Sequence, residues 1–315
     1  MIAPYFADDA VTLWHGDALD VLRNLPAGSI DCVVTSPPYF GLRDYGVDGQ
    51  LGFEETPALY VEALVAVFTE AHRVLADAGT LWLNLGDAYA GKANAGRTFT
   101  KNRGHNVQPV RYPVQRNMTA HAPYKSLLGL PWRTALALVD SGWTLRSEVI
   151  WHKPNPMPEA VKDRPTSSHE HVFMLTKGPR YYFDPEAIAE DATGRASGNG
   201  FARPESINRG GAGNDAPWKG RAFRNRRDVW EIATVGFPEA HFATFPLALP
   251  ERCILASTRP GGVVLDPFSG SGTTGLAAAR HGRRFVGIDL NADYLDLSLR
   301  TRLRDRTLDF GEVSA

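Results

Sequence analysis

A glycine-rich turn placed almost at the end of the chain limits what this sequence can fold into. Leu265-Asp-Pro-Phe-Ser-Gly-Ser-Gly-Thr-Thr-Gly275 follows the short apolar run Gly261-Gly-Val-Val-Leu265 and precedes Leu276-Ala-Ala-Ala-Arg280. This reads as a strand, a tight turn and a helix of small residues suited to packing close on a sheet. Such a turn lets backbone N–H groups approach a ligand, with the positive end of the helix behind them. Gly270, Gly272 and Gly275 satisfy G-x-G-x-x-G, and Asp289 closes the next apolar run 19 residues after Gly270. An acidic group at that point suits ribose hydroxyls. A dinucleotide fold begins with this turn and builds its sheet afterwards. Here only 26 residues follow Asp289, enough for one helix. The other strands must come from the N-terminal part, so the sheet must be circularly permuted.

The N-terminal part supplies them. Val11–His15 and the near-continuously apolar Ile30–Thr35 read as strands, the second as a strand covered on both faces. Residues 18–25 and 57–76 carry helical apolar spacing. Gly79–Leu85 reads as a strand, 126–140 as a helix, and Trp143–Trp151 and His171–Thr176 as strands. Late in the chain, 246–257, 273–281 and 291–306 read as helices, with strands at 263–266 and 285–289. Strands alternating with helices predict a parallel α/β sheet. Asp17 and Ser36-Pro-Pro-Tyr39 then fall at C-terminal strand ends, where open α/β sheets bind ligands. Two prolines after Thr35 force the chain out of the sheet there.

Composition constrains the partners. The net charge is −1, but residues 88–139 hold eight Lys/Arg and no Asp or Glu. A second basic segment, residues 203–227, holds seven Lys/Arg against Glu205 and Asp215. Two basic segments in a neutral chain predict a polarised surface facing a polyanion. Cys32 and Cys253 read as reduced thiols, with Cys32 buried in its strand. No apolar run approaches a membrane span, and Met1–Asp9 lacks a secretory signal pattern, so a cytoplasmic location is expected. His169-Glu-His171 alone is too few ligands for a metal, and none is expected.

Thr35-Ser-Pro-Pro-Tyr39 early and Asp266-Pro-Phe-Ser-Gly-Ser-Gly-Thr-Thr-Gly275 late resemble the amino-methylating DNA methyltransferases of the β-group. The resemblance implies a Rossmann-like, circularly permuted α/β methyltransferase sheet with an inserted DNA-recognition segment. Residues 1–184 would form the catalytic half, with a basic loop at 90–124. Residues 185–235 would form the target-recognition segment, and 236–315 the S-adenosylmethionine half. Ser36, Pro37, Pro38 and Tyr39 would be catalytic: Ser36 and the Pro37 carbonyl as acceptors for the amine, Tyr39 as a face for an extruded base. Thr35, Pro267, Phe268, Gly270, Ser271 and Gly272 would line the cofactor, with Asp266 near its ammonium and Asp289 on its ribose. Asp17 would accept from its adenine amine, the favoured reading, while Gly-Asp after a strand is also a common helix N-cap. Thr273 and Thr274 would either cap the helix or touch the cofactor's carboxylate. Arg97, Lys101, Arg103, Arg221, Arg224, Arg226 and Arg227 would contact double-stranded DNA. His241–Pro246 resembles the segment before the cofactor loop. A cognate restriction endonuclease would be a non-physical partner, and the chain would act as monomer or homodimer.

Ser rather than Asp before Pro-Pro leans toward cytosine N4 as target in that family, with adenine N6 as the alternative. Carbon-5 cytosine methylation is excluded by the lack of any Pro-Cys dipeptide. A nicotinamide-dependent dehydrogenase would explain G-x-G-x-x-G but not its position in the chain. A non-catalytic DNA-binding module leaves Ser36–Tyr39 unexplained.

Overall fold

The computed structural model describes residues 3–42, 47, 49–91, 98–99, 110–111, 118, 121–192, 223–235 and 245–304. The chain opens with β1 (Phe6–Ala7), β2 (Val11–His15), α1 (Ala18–Asn24) and β3 (Ile30–Thr35), then α2 (Pro57–Val74) and β4 (Leu75–Leu85). A two-residue ladder, β5 (Thr98–Phe99) with β6 (Val110–Arg111), stands apart. The strands β7 (Thr144–His152) and β8 (His169–Thr176) follow α3 (Leu130–Asp140). A second short ladder joins β9 (Glu190–Asp191) to β10 (Phe223–Arg224), and β11 (Val229–Glu231) comes next. The C-terminal part is α4 (Ala248–Ser257), β12 (Val263–Asp266), α5 (Thr273–Arg280), β13 (Arg284–Asp289) and α6 (Ala292–Arg300).

Nine of these strands form one sheet in the order β1-β2-β13-β12-β3-β4-β8-β7-β11. The seam expected from the position of the glycine turn lies between β12 and β3, paired in parallel at Val264↔Cys32 and Leu265↔Val33. The sheet is not uniformly parallel, contrary to the reading of alternating strands and helices. β8 lies antiparallel to both β4 and β7, and β1 antiparallel to β2. Residues 153–168 join β7 to β8 without a helix, and the two strands pair antiparallel as a long-looped hairpin.

Strand parity sorts the core onto two faces. Val33, Leu81, Leu83 and Leu85 pack with Leu22, Leu64, Phe68 and Leu138 on the side of α1, α2 and α3. Cys32, Val34 and Trp82 pack with Ile254, Ala277 and Leu295 on the side of α4, α5 and α6. Both faces are covered, which is why these strands are apolar without alternation. Cys32 and Cys253 are free and fully buried, and burial pushes the Cys32 thiol up to about 12. α2 begins at Pro57 because Thr56 caps it, accepting from Leu59 N at 3.1 Å. α3 begins four residues later than expected. Pro131 occupies its first turn, and Asp87 accepts from Gly129 N at 3.0 Å and Leu130 N at 3.1 Å.

The segment read as 185–235 does not stand wholly outside the sheet. β11 pairs in parallel with β7, and its buried Trp230 stacks near Trp82 at 5.9 Å between ring centres. Residues 229–231 are thus sheet edge. Among the described residues no helix is long and apolar enough to cross a membrane.

Candidate active site

The parallel strands β2, β13, β12, β3 and β4 all end at the same edge of the sheet, and the two sequence motifs emerge side by side there. Thr35 ends β3 and Asp266 ends β12. The Thr35 hydroxyl donates to Asp266 Oδ1 at 2.7 Å. Thr274 donates to Asp266 Oδ2 at 2.6 Å, and Phe268 N donates to Oδ1 at 3.0 Å. Asp266 is only 2% exposed, and burial pushes its carboxyl up to about 6 despite these donors. These donors all come from within the protein. Thr35 and Asp266 lie beneath the loop as a brace between the two halves, because a carboxylate at a buried strand end needs its hydrogen bonds from within the protein. Thr274 neither caps α5 nor reaches outward, and the Thr273 hydroxyl accepts from Arg302 Nη1.

The loop itself turns through left-handed backbone at Gly270 (φ +51°) and Gly272 (φ +80°). A side chain on Gly270 would meet only Phe268 O at 4.0 Å, so its outer face is open. Gly270 N donates to Asp289 Oδ2 at 2.7 Å, and Asn291 N to Asp289 Oδ1 at 2.8 Å. Burial pushes the Asp289 carboxyl up to about 6. Each of its oxygens keeps a lone-pair position beyond these bonds. Asp289 pairs with His15 across β13 and β2, and Gly16 N donates to Asp289 O at 3.0 Å, which brings Asp17 to the neighbouring strand end. Asp17 does cap α1, accepting from Asp20 N at 3.1 Å. Pro267 is buried and Phe268 half-buried. The hydroxyls of Ser269 and Ser271 are buried and, among the described residues, have no hydrogen-bond partner. A loop with an open glycine beside a carboxylate with acceptor capacity fits a ligand that carries ribose hydroxyls.

The second motif leaves β3 beside it. Pro37 is buried, and the Pro38 carbonyl accepts from the Tyr60 hydroxyl at 2.9 Å. The Tyr39 ring lies on Gly86, where an added Cβ would come within 2.7 Å of it. Its hydroxyl turns inward into a cluster that sequence reasoning missed. Ser36 Oγ donates to Tyr39 Oη at 3.1 Å, and Tyr39 Oη donates to Glu170 Oε2 at 2.6 Å. Asn84 Nδ2 donates to Tyr39 Oη at 2.9 Å and to Glu170 Oε2 at 2.8 Å. Lys153 forms an ion pair with Glu170 Oε1, and its ammonium lies 4.5 Å from the Trp151 ring centre. Burial, then the Glu170 charge, hold the Tyr39 phenol well above its ordinary value. The available signal was polarity out of place: Asn84 interrupts an otherwise apolar strand, and Glu170 sits between two histidines. His171 instead engages Glu148 at 2.6 Å, and among the described residues no group of three or more His, Cys, Asp or Glu could hold a metal.

Arg97, Lys101, Arg103, Arg221 and the stretch 241–244 lie outside the described residues. The three described basic candidates are engaged at the base of their segment. Arg224 and Arg227 donate to Glu190 Oε1 at 2.8 and 2.7 Å, and Arg226 to Ile188 O at 2.6 Å. Arg226 is therefore a structural tie. Arg227, with its side chain 70% exposed, keeps an open flank.

Comparison with known proteins agrees with this geometry. The model of a DNA methylase family, covering N6- and N4-type enzymes, matches residues 30–300. The chain is 47% identical to the Type II methyltransferase M.Cfr9I of Citrobacter freundii, over 92% of this chain and 87% of that protein. Its fold resembles that of the PvuII DNA methyltransferase (cytosine-N4-specific), with a TM-score of 0.66 at 20% identity, covering 98% of this chain and 90% of that one. It also resembles a putative DNA modification methylase from Thermus thermophilus complexed with S-adenosyl-L-methionine, with a TM-score of 0.58 at 26% identity, covering 93% of each chain.

Proposed function

This chain belongs to the DNA methylase family of N6- and N4-type enzymes, and from that premise we propose that its target is the exocyclic N4 amine of a cytosine extruded from duplex DNA. It is an S-adenosylmethionine-dependent DNA methyltransferase; the cofactor supplies an electrophilic methyl group. The observation that carries the proposal is the juxtaposition of Ser36–Tyr39 with the glycine loop across β3 and β12. The lone pair of an exocyclic amine is delocalised into its ring, so the amine is a poor nucleophile. Ser36 Oγ and the Pro37 carbonyl hold its hydrogens and draw the nitrogen lone pair out of conjugation. The work is positioning and electrostatic stabilisation, with no covalent intermediate. Pro38 O already serves Tyr60, which fixes the turn that presents Pro37. Ser36 in first position supports cytosine N4.

On this reading Asp289 receives the ribose hydroxyls, Asp17 the adenine amine, and Phe268, Gly270, Ser271 and Gly272 line the remainder. Arg97, Lys101, Arg103, Arg221 and Arg227 grip DNA, and Arg224 and Arg226 shape the part of the second basic segment that carries Arg227. A Type II relative at this identity supports a role paired with a restriction enzyme of the same specificity. Sequencing DNA from a methylase-free host that expresses the chain, with mass spectrometry of its nucleosides, tests the proposal. N4-methyldeoxycytidine confined to one sequence context is expected. N6-methyldeoxyadenosine would overturn the base assignment, and the absence of any modified base would sink the function.

Ligand affinity and stability should move in opposite directions with pH. Asp266 and Asp289 titrate near about 6 in the fold against 3.8 in the reference state, through burial. A raised carboxyl contributes most to stability below its unfolded value, and that contribution is lost as pH rises through about 6. The ribose contact needs the ionised Asp289 as acceptor, so S-adenosylhomocysteine affinity falls by up to ~10-fold per unit below about pH 6. Calorimetric titration and thermal melts of the ligand-free protein between pH 4.5 and 7.5 check both signs. A pH-independent dissociation constant would remove Asp289 from the ribose.

A further inference from the structure

The cluster behind Ser36 has a direction. Ser36 Oγ donates to Tyr39 Oη at 3.1 Å, and Tyr39 Oη donates to Glu170 Oε2 at 2.6 Å. Each hydroxyl hydrogen points away from the open side, toward a carboxylate that also receives Asn84 Nδ2 and the Lys153 ammonium. Ser36 Oγ also accepts from Asn84 Nδ2 at 3.4 Å, so Ser36 keeps one lone pair for an outside donor and sends its proton inward. The three inner groups come from three elements: Asn84 from β4, Glu170 from β8 and Lys153 from the residue after β7. Side chains of Lys153 and Glu170 are 19% and 16% exposed, so the pair is largely withdrawn from solvent. The Tyr39 phenol, held well above its ordinary value, stays protonated at neutral pH and can act as a link.

We propose that Glu170 is the terminal proton acceptor of methyl transfer, reached from the target amine through Ser36 and Tyr39 and kept in place by Lys153 and Asn84. The proposal rests on an exocyclic amine being the target. When the amine nitrogen has formed its bond to the methyl carbon and the carbon–sulfur bond has broken, the nitrogen carries a positive charge and one hydrogen too many. That proton passes to Ser36 Oγ as the Ser36 proton passes to Tyr39 Oη and the Tyr39 proton to Glu170 Oε2. The net change is one proton from nitrogen to Glu170; both hydroxyls end neutral, and Glu170 returns its proton to solvent between turnovers. An exocyclic ammonium on a pyrimidine is strongly acidic, so even a carboxylate beside a lysine is a sufficient base. Within the β-sheet, Glu170 is flanked by His169 and His171, which alternation sends to the other face, where His171 meets Glu148. Lys153, Tyr39 and Asn84 are the groups that face it.

Glu170→Gln keeps the shape and removes the base. Single-turnover methyl transfer at saturating S-adenosylmethionine should fall at least ~100-fold, the lower range for lost general-base catalysis. Dissociation constants for S-adenosylhomocysteine and DNA should stay within about twofold of the parent, since the residue is argued to touch neither. In the ligand-free variant, an ultraviolet titration, referenced to Tyr39→Phe, should show the Tyr39 phenol ionising at lower pH, because the Glu170 charge is gone. Tyr39→Phe keeps the ring on Gly86 and cuts only the link, so it should reproduce the rate loss. A Tyr39→Phe or Glu170→Gln enzyme with parental single-turnover rate overturns the relay, as does a loss confined to ligand affinity. A parent that modifies no exocyclic amine would sink the functional proposal instead, so the two failures are distinguishable.

Discussion

Ser36→Ala should yield a folded protein that binds S-adenosylmethionine and DNA but transfers methyl groups about 10²–10³ times more slowly, the range seen when one preorganised polar group is removed from a reacting centre. The substitution deletes one hydroxyl at a half-buried position. The Tyr39–Glu170 and Asn84–Glu170 bonds, at 2.6 and 2.8 Å, do not pass through it. The Tyr39 ring stays on Gly86, and the turn stays tied by Tyr60 to Pro38 O. Ser36 Oγ takes part in two hydrogen bonds, to Tyr39 Oη and from Asn84 Nδ2, so stability should fall by about 1–3 kcal/mol. Single-turnover kinetics, with melting temperature as control, separate the two effects. An alanine enzyme with parental rate would take Ser36 out of the reaction and leave the Pro37 carbonyl as the acceptor that matters.

Gly275→Val should cost about 3 kcal/mol and abolish cofactor binding, although Gly275 touches no ligand in this account. A Cβ at Gly275 would sit 2.7 Å from two carbons of the Phe285 ring and 2.8 Å from Leu303 Cδ2. Phe285 is fully buried in β13, so the ring has nowhere to go and α5 must move instead. Overpacking of this kind costs roughly 1–3 kcal/mol, at the upper end where the neighbours are rigid. For a chain of this size ~3 kcal/mol lowers the melting temperature by roughly 4–5 °C. α5 carries the loop, so its displacement takes Gly270 N away from Asp289. Gly270→Ala offers the contrast, since its Cβ meets only Phe268 O at 4.0 Å. Its backbone strain costs roughly 1–2 kcal/mol, and its added methyl intrudes on the ligand side. A Gly275→Val protein with parental melting temperature and affinity would show that α5 does not need its close approach to β13.

The motif G-x-G-x-x-G thus holds glycines with different reasons to be glycine. Gly270 and Gly272 need left-handed backbone, and Gly275 needs the absence of a side chain against Phe285. A sequence shows the shared residue type and not the separate causes. Similarly, Asp17 reads both as a ligand contact and as an N-cap, and its cap is plain in the structure because one carboxylate oxygen faces Asp20 N. The basic residues 224, 226 and 227 read as one cationic run. Folding turns Arg226 onto backbone carbonyls and leaves the Arg227 guanidinium largely exposed.

The sequence by itself determined the permuted order of the sheet and the pairing of its two motifs. Those follow from local pattern: the strand–turn–helix unit around Gly270 comes after the apolar strands and the Ser36–Tyr39 turn that it must pair with. Period and glycine placement are short-range properties, so they are legible residue by residue. What only the tertiary structure decided is what lies behind each motif. The brace from Thr35 to Asp266 spans 231 positions, and the bond from Asn84 to Glu170 spans 86. Both depend on which strands lie side by side, β12 against β3 and the reversed β8 against β4. A lone polar residue in an apolar strand announces that it needs a partner. Only the sheet order says that Asn84, Glu170 and Lys153 meet behind Ser36, because burial makes each require the others and nothing local in the chain records their proximity.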